Sequence, residues 1–277
     1  MAESSEIGGS MHSEDGSSAQ KEIWIKEQEL LKRRLVLTDD FSWKLITTSS
    51  DDEEDSVAVN SSGILDQSKL RYVGGVDLSF SKLDESIACA ALVVMDLEIM
   101  QVVYEDFDTV KLTMPYIAGF LAFRETPVLL GLLQKMALKE PALYPQLLMV
   151  DGNGILHPRG FGLASHLGVL ADIPTIGVGK NLHHVDGLTN LEVRNVVAKS
   201  NLQAGDVVPL IGSTGQVWGA ALRSHEGSQK PIFISIGHRI SLDTAVAVVR
   251  CCCLHRVPEP VRQADLRSRD RLCLRIP

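Results

Sequence analysis

Hydrophobic and polar positions alternate most regularly in residues 71–80, RYVGGVDLSF. Tyr72, Val76, Leu78 and Phe80 fall on one face, and Val73, Asp77 and Ser79 on the other. Two more strand-like runs, SIACAALVVMD and IMQVVYEDF, follow at short spacing, so this region predicts a three-stranded antiparallel meander. The period then changes. MPYIAGFLAFRETPVLLGLLQKMAL, 114–138, is helical in its spacing but holds Pro127, and Thr126 as N-cap before Pro127 predicts a second helix starting there. In PQLLMV, 145–150, four apolar residues run into Asp151, as expected of a strand covered on both faces. SHLGVLADIPTIGVGK reads as a helix and then a short buried strand. Residues 190–201 predict a weak helix, and DVVPLIG, QVWGAAL and PIFISIG predict strands. SLDTAVAVVRCCCLH predicts a helix capped by Ser241. Ahead of the meander, 21–36 is an amphipathic helix, 47–63 an acidic surface loop and 1–20 a disordered tail. A meander followed by mixed helices and strands predicts an α/β (α+β mixed-sheet) domain with helices flanking the sheet.

Composition narrows this picture only a little. With 277 residues, 45% of them hydrophobic, the chain can bury an ample core. No apolar run approaches 18 residues and the start is acidic, so neither a membrane span nor a secretion signal is expected; nucleus, nucleolus or cytoplasm are the expected compartments. Cys251, Cys252 and Cys253 are adjacent, which suits neither disulfides nor a zinc site, and they are expected to pack as small apolar residues. The net charge of −8 is unevenly placed. Residues 1–68 hold 15 acidic and 6 basic side chains, the remainder 20 and 21, so the body of the chain is close to neutral and can still present a basic patch to a polyanion.

Three acids stand where burial makes a carboxylate costly. Asp77 lies inside the alternating strand, on the side of Val73. Asp151 ends a buried strand, at the edge where open α/β sheets place ligands. Glu125 has Leu121 four residues before it and Leu129 four after, so it points along an apolar helix face. Each alone reads equally well as a satisfied acid paired with Arg124, Arg159 or Lys180. Together they repel unless a divalent cation neutralises them, and hard oxygen ligands point to Mg²⁺ or Mn²⁺, the apparatus that moves phosphate esters. Gly152 and Gly154 allow close backbone approach, or form a plain turn. His157 and Arg159 are placed to meet a phosphate or a base edge. Lys180, after GVG, reads as a phosphate contact or a solvated lysine. His238 follows another strand end and reads as a base or a group behind the metal, with Asp243 nearby as an assistant or a helix-start acid.

GGVDLSF, PYIAGFLAFRE, VDGNGILHPRGFGLASHLGV, IGVGK, ALRSH and ISIGHRISL resemble, in order and spacing, the endonuclease V family, eukaryotic type, over roughly residues 20–265. The resemblance implies a single catalytic domain over 21–265 with a ribonuclease H-like fold. It implies Mg²⁺-dependent hydrolysis, with Mn²⁺ able to substitute, of the second phosphodiester 3′ of inosine or deoxyinosine in single-stranded RNA or DNA, by a monomer. Asp77 and Asp151 are then metal ligands, with Glu125 joining them directly or through water, His238 the catalytic histidine, and Lys180 beside the scissile phosphate. Pro115-Tyr116-Ile117-Ala118 matches the family's wedge, with Ala118 where many members carry proline. Gly119, Leu121, Gly152, Gly154, His157 and Leu163 surround the extracted base, and the amides of Gly152 and Gly154 are expected to read hypoxanthine. Residues 266–277 depart from the family pattern, and the acidic insert 51–55 lies outside its core. The alternatives are a related nuclease for other damaged or structured nucleic acid, and a non-catalytic nucleic-acid-binding module.

Overall fold

The computed structural model describes residues 11–44, 69–114, 117–199, 203–228 and 230–275. The acidic insert 51–55 and the wedge residues Pro115 and Tyr116 lie outside them. The expected meander is β1 (Tyr72–Phe80), β2 (Ile87–Asp96) and β3 (Gln101–Lys111). Strand β4 (Leu147–Asp151) lies parallel to β1, and β5 (Thr175–Gly179) parallel to β4. Three antiparallel strands follow, β6 (Val207–Ile211), β7 (Val217–Leu222) and β8 (Ile232–His238), giving one mixed eight-stranded sheet in the order β3-β2-β1-β4-β5-β8-β7-β6.

The sheet is covered on both faces, which is why β4 could be apolar up to Asp151. On one face, α2 (Ala122–Lys139) and α3 (Leu163–Ala171) pack Leu129, Leu132, Leu133, Met136, Ala164 and Leu167 onto Val76, Leu92, Leu148 and Val150. On the other, α5 (Leu242–Cys251) and α6 (Glu259–Arg275) cover Val73, Leu147, Met149, Ile176 and Ile234. The remaining helices are α1 (Met11–Lys32), packed against α3, and α4 (Asn190–Lys199) beside β6. Among the described residues, no helix is long and apolar enough to cross a membrane.

Two sequence expectations change. Residues 11–20, read as part of a tail, open α1. No second helix starts at Pro127: α2 is one helix with Pro127 inside it, and Thr126, expected as an N-cap, is buried with a hydroxyl that has no hydrogen-bond partner. A proline inside a helix costs about 3 kcal/mol. Burying four large side chains of α2, at roughly 1.5–3 kcal/mol each, outweighs it. Residues 266–275, past the stretch that resembles the family, continue α6 as far as Arg275. The apolar signal of α6 is thin because, past its first turn, the buried positions among the described residues form a narrow stripe: Ala264, Ser268 and Leu272. The helix lies so close to β1 that a side chain at Gly75 would collide with the carbonyl oxygen of Pro260. Of the three adjacent cysteines, Cys252 is in the core, whereas Cys251 is exposed.

Candidate metal centre

Strand parity places two acids together. In the parallel ladder Val76 pairs with Val150, so the next residues, Asp77 and Asp151, end up level on neighbouring strands. Asp77 shares its face with Val73, and Asp151 with Met149, so both carboxylates point to the side covered by α6. That helix adds a third acid, Asp265. One carboxylate oxygen from each of Asp77, Asp151 and Asp265 lies within 4.8 Å of the other two. Sequence reasoning missed Asp265, because a lone acid in a charged helix carries no pattern; the only signal was its position one residue after the buried Ala264.

Two cations stand beside the three acids. Lys180, one residue past the end of β5, donates to Asp151 Oδ2 at 2.5 Å and to Asp265 Oδ2 at 3.2 Å. Arg269, one turn beyond Asp265 on α6, reaches Asp265 Oδ1 at 2.6 Å. Burial works against the Lys180 ammonium, but Asp151 and Asp265 outweigh it and raise its pKa. Asp77 is pushed up to about 6, first by burial and then by the charge of Asp151. Hydroxyls of Ser268 and Ser79 oppose that shift by donating to Asp77 Oδ2 at 2.7 and 2.9 Å. Three carboxylates against two cations leave an excess negative charge in a cluster of hard oxygen donors. That donor set fits Mg²⁺ or Mn²⁺ and offers no soft ligand for zinc.

Glu125 arrives from α2, on the opposite face of the sheet, and is not one of the three clustered acids. It is 5% exposed and is pushed up to about 8 by burial, then by Asp77 and Asp151, with Arg124 only partly compensating. Arg124 itself is held over the ring of Phe80, 5.7 Å from the centroid.

His238 does not join this group. β8 runs antiparallel to β5, so His238 pairs with Thr175 at one end of β5, whereas Asp151 pairs with Val178 near the other. Three strand residues, about 10 Å, separate those levels, and β5 itself lies between the two strands. The buried His238 ring accepts from the Val36 amide at Nδ1 and faces Asp172 at 3.8 Å from Nε2. Burial lowers its pKa. The direction of one strand therefore sets His238, expected as the catalytic histidine, apart from the three clustered acids. Asp243, which was to assist it, is exposed in the first turn of α5 beyond that same end of β8.

The glycines also serve other ends than those expected. The Gly152 amide donates to Val178 O at 3.3 Å and the Gly154 amide to Ser235 Oγ at 2.9 Å, so both donors are already used within the protein. A side chain on Gly154 would collide with the carbonyl oxygen of Ile236 on β8, so this glycine exists for close packing. Gly152 faces Leu163: a Cβ there would lie 3.4 Å from the Leu163 side chain. Gly119 turns the chain in the left-handed region, at φ +83°, ahead of a half-exposed Leu121 that caps α2. His157 is buried, accepts the Arg159 amide at Nδ1 and faces His183, their ring centres 6.1 Å apart. Burial, then the nearby His183, takes its pKa down to about 4, so it is neutral at physiological pH. Arg159, expected on a phosphate, is engaged by α1: it bonds Gln28 and Glu29 and lies 5.2 Å over Phe120.

Comparison with known proteins agrees with this architecture. Residues 56–266 match the sequence model of the family described as Endonuclease V. Endonuclease V of Homo sapiens is 48% identical over 250 residues, covering 90% of this chain and 82% of that protein; that of Mus musculus is 50% identical over 251 residues, covering 90% and 68%. The crystal structure of the human catalytic domain superposes with a TM-score of 0.82 at 46% identity, over 94% of this chain and 99% of that one. Ciona intestinalis Endonuclease V, solved in complex with a 24mer DNA containing an inosine followed by a ribo-adenosine, superposes with a TM-score of 0.79 at 35% identity, over 92% and 99%. The chain therefore belongs to the endonuclease V family and is an endonuclease.

Proposed function

We propose that this endonuclease hydrolyses the second phosphodiester 3′ of an inosine or deoxyinosine in single-stranded RNA or DNA, acting as a monomer through one domain that spans 21–265 and extends into α6. The observation that carries the reading is the trio Asp77, Asp151 and Asp265 at the carboxyl end of β4, in a chain whose Ciona relative was solved on inosine-containing DNA. These three carboxylates would hold Mg²⁺, or Mn²⁺ in its place, and a divalent ion there supplies a Lewis acid for the scissile phosphate and an activated water. Lys180 and Arg269 spend their charge on the acids in the free protein, and both are near enough to turn to phosphate oxygens once those acids have another counter-charge. Glu125, pushed up to about 8 in the metal-free protein, would lose the repulsion of Asp77 and Asp151 once a divalent ion neutralises them, and could then join the metal directly or through water. The turn at Gly119, with Leu121, Gly152, His157 and Leu163, forms the candidate wall for the extracted base. Shape and the neutral His157, rather than the amides of Gly152 and Gly154, carry its recognition.

The test uses purified full-length chain, Mg²⁺ and matched single-stranded RNA and DNA oligonucleotides, each with one inosine or one adenosine. Cleavage at a single bond of the inosine strands, lost in chelator, is expected. Equal cleavage of the adenosine strands, or none of either, overturns the proposal.

A further inference from the structure

Ser268 has no exposed surface and sits where the last helix meets the acid cluster. Its hydroxyl donates to Asp77 Oδ2 at 2.7 Å and lies 2.7 Å from Ser79 Oγ and 3.0 Å from the carbonyl oxygen of Asp265. Ser79 Oγ reaches the same Asp77 oxygen at 2.9 Å. Two hydroxyl protons thus serve four contacts. An ionised carboxylate is the strongest acceptor among them, so both protons turn to Oδ2 whenever Asp77 carries its charge. Oδ2 is then held from two directions, by β1 and by α6, while Oδ1 receives no hydrogen bond from any described residue. Ser268 and Asp265 stand three residues apart on one helix face, so a single turn of α6 both supplies an acid and fixes the orientation of another.

We propose that Ser268, together with Ser79, is a positioning residue that pins Asp77 Oδ2 so that Oδ1 is presented to a divalent cation shared with Asp151 and Asp265. The inference rests on the metal reading given above and deepens it. Nothing in the family match assigns this serine, since the matched stretch ends at residue 266. It also gives the charged last helix a task beyond covering β1. Without the hydroxyl, Asp77 rotates more freely, and the ion must order the side chain as it binds. Partners behind a ligand typically change metal affinity about 10- to 100-fold when removed.

The experiment is calorimetric titration of Mn²⁺ into the full-length chain without nucleic acid. Wild type is compared with Ser268→Ala, Ser268→Thr, Ser79→Ala, Leu272→Ala and Asp151→Asn. Wild type binds and Asp151→Asn does not. Ser268→Ala binds about tenfold more weakly, and its cleavage of an inosine strand recovers as Mn²⁺ is raised. Ser268→Thr, which keeps the hydroxyl, retains most of the affinity. Leu272→Ala removes a buried side chain one turn further along α6; it lowers the melting temperature and leaves Mn²⁺ affinity unchanged. Wild-type affinity in Ser268→Ala overturns the proposal. If Ser268→Ala does not fold, Ser79→Ala removes the other donor from β1 and decides the matter in the same way. A wild type that binds no Mn²⁺, or an Asp151→Asn variant that binds it equally well, overturns the metal reading and this inference with it.

Discussion

The two ends of strand β5 look alike in sequence and differ in what they assemble. At one end, GVGK delivers Lys180 to Asp151 and Asp265; at the other, the antiparallel neighbour β8 delivers SIGHR, with His238 against Asp172 and the backbone of Val36. Both are buried strands that finish in glycine and a nitrogen-bearing side chain. The first end gathers three acids and two cations into an unbalanced cluster. The second is closed: Arg239 bonds Asp172 and Asp40, and His238 is held by Val36. An end with excess charge can take a ligand, whereas an end whose groups satisfy one another is part of the scaffold.

The hardest test of that contrast removes a carboxylate. Asp151→Ala, or Asp77→Ala, is expected to lower the single-turnover cleavage rate by more than about 10³-fold, as loss of a Lewis-acid site costs several kcal/mol, with inosine-strand binding still measurable. Near-normal rates in both would dissolve the cluster as a centre. Gly154→Val acts next, on folding rather than base fit: with the Ile236 carbonyl in the way, a loss of roughly 3 kcal/mol or more in denaturant unfolding is expected. A stable variant that merely loses inosine selectivity would return this glycine to the base pocket. His238→Ala belongs to the closed end. It should cost about 1–3 kcal/mol of stability through the Val36 amide left unpaired, yet change the cleavage rate of the folded fraction less than about threefold. A loss of cleavage without a loss of stability would mean that the two ends act together.

The smallest effect is a pH trend in the metal-free protein. Glu125 has a folded pKa of about 8, above its ordinary 4.5, so the folded state holds a proton that the unfolded chain releases. Stability contributed this way is present at low pH and is lost as pH rises through 8. His157 and His166, held down to about 4, and His183 and His238, also lowered, all mainly by burial, act in the opposite direction: the unfolded chain still binds their protons up to about pH 7.5, and Asp77, raised to about 6, has released its own proton by then. Above about pH 7.5 the Glu125 contribution therefore dominates, and stability should fall as pH rises through 8, by at most about 1.4 kcal/mol per pH unit. Thermal or denaturant unfolding in chelator reads this; a flat or rising profile across that window would show that Glu125 is already ionised.

Much of the local structure was written in residue order. Alternation through 71–80 placed Asp77 on the side of Val73, and the apolar run LLMV required a strand covered on both faces and ending at Asp151. Ser241 accepts from the Thr244 amide at the start of α5, as its type and position indicated. These features depend on neighbours within a few residues, where side-chain period and capping chemistry act directly. What only the tertiary structure decided is which strand lies beside which, and in which direction. Pairing of β1 with β4 brought Asp77 level with Asp151, and the antiparallel course of β8 carried His238 away from them. A helix with one narrow buried stripe, nearly invisible as a pattern, contributed Asp265, Ser268 and Arg269. Contacts across such distances in sequence are fixed by the burial of two sheet faces at once, and a linear pattern records that a face is buried without recording against what.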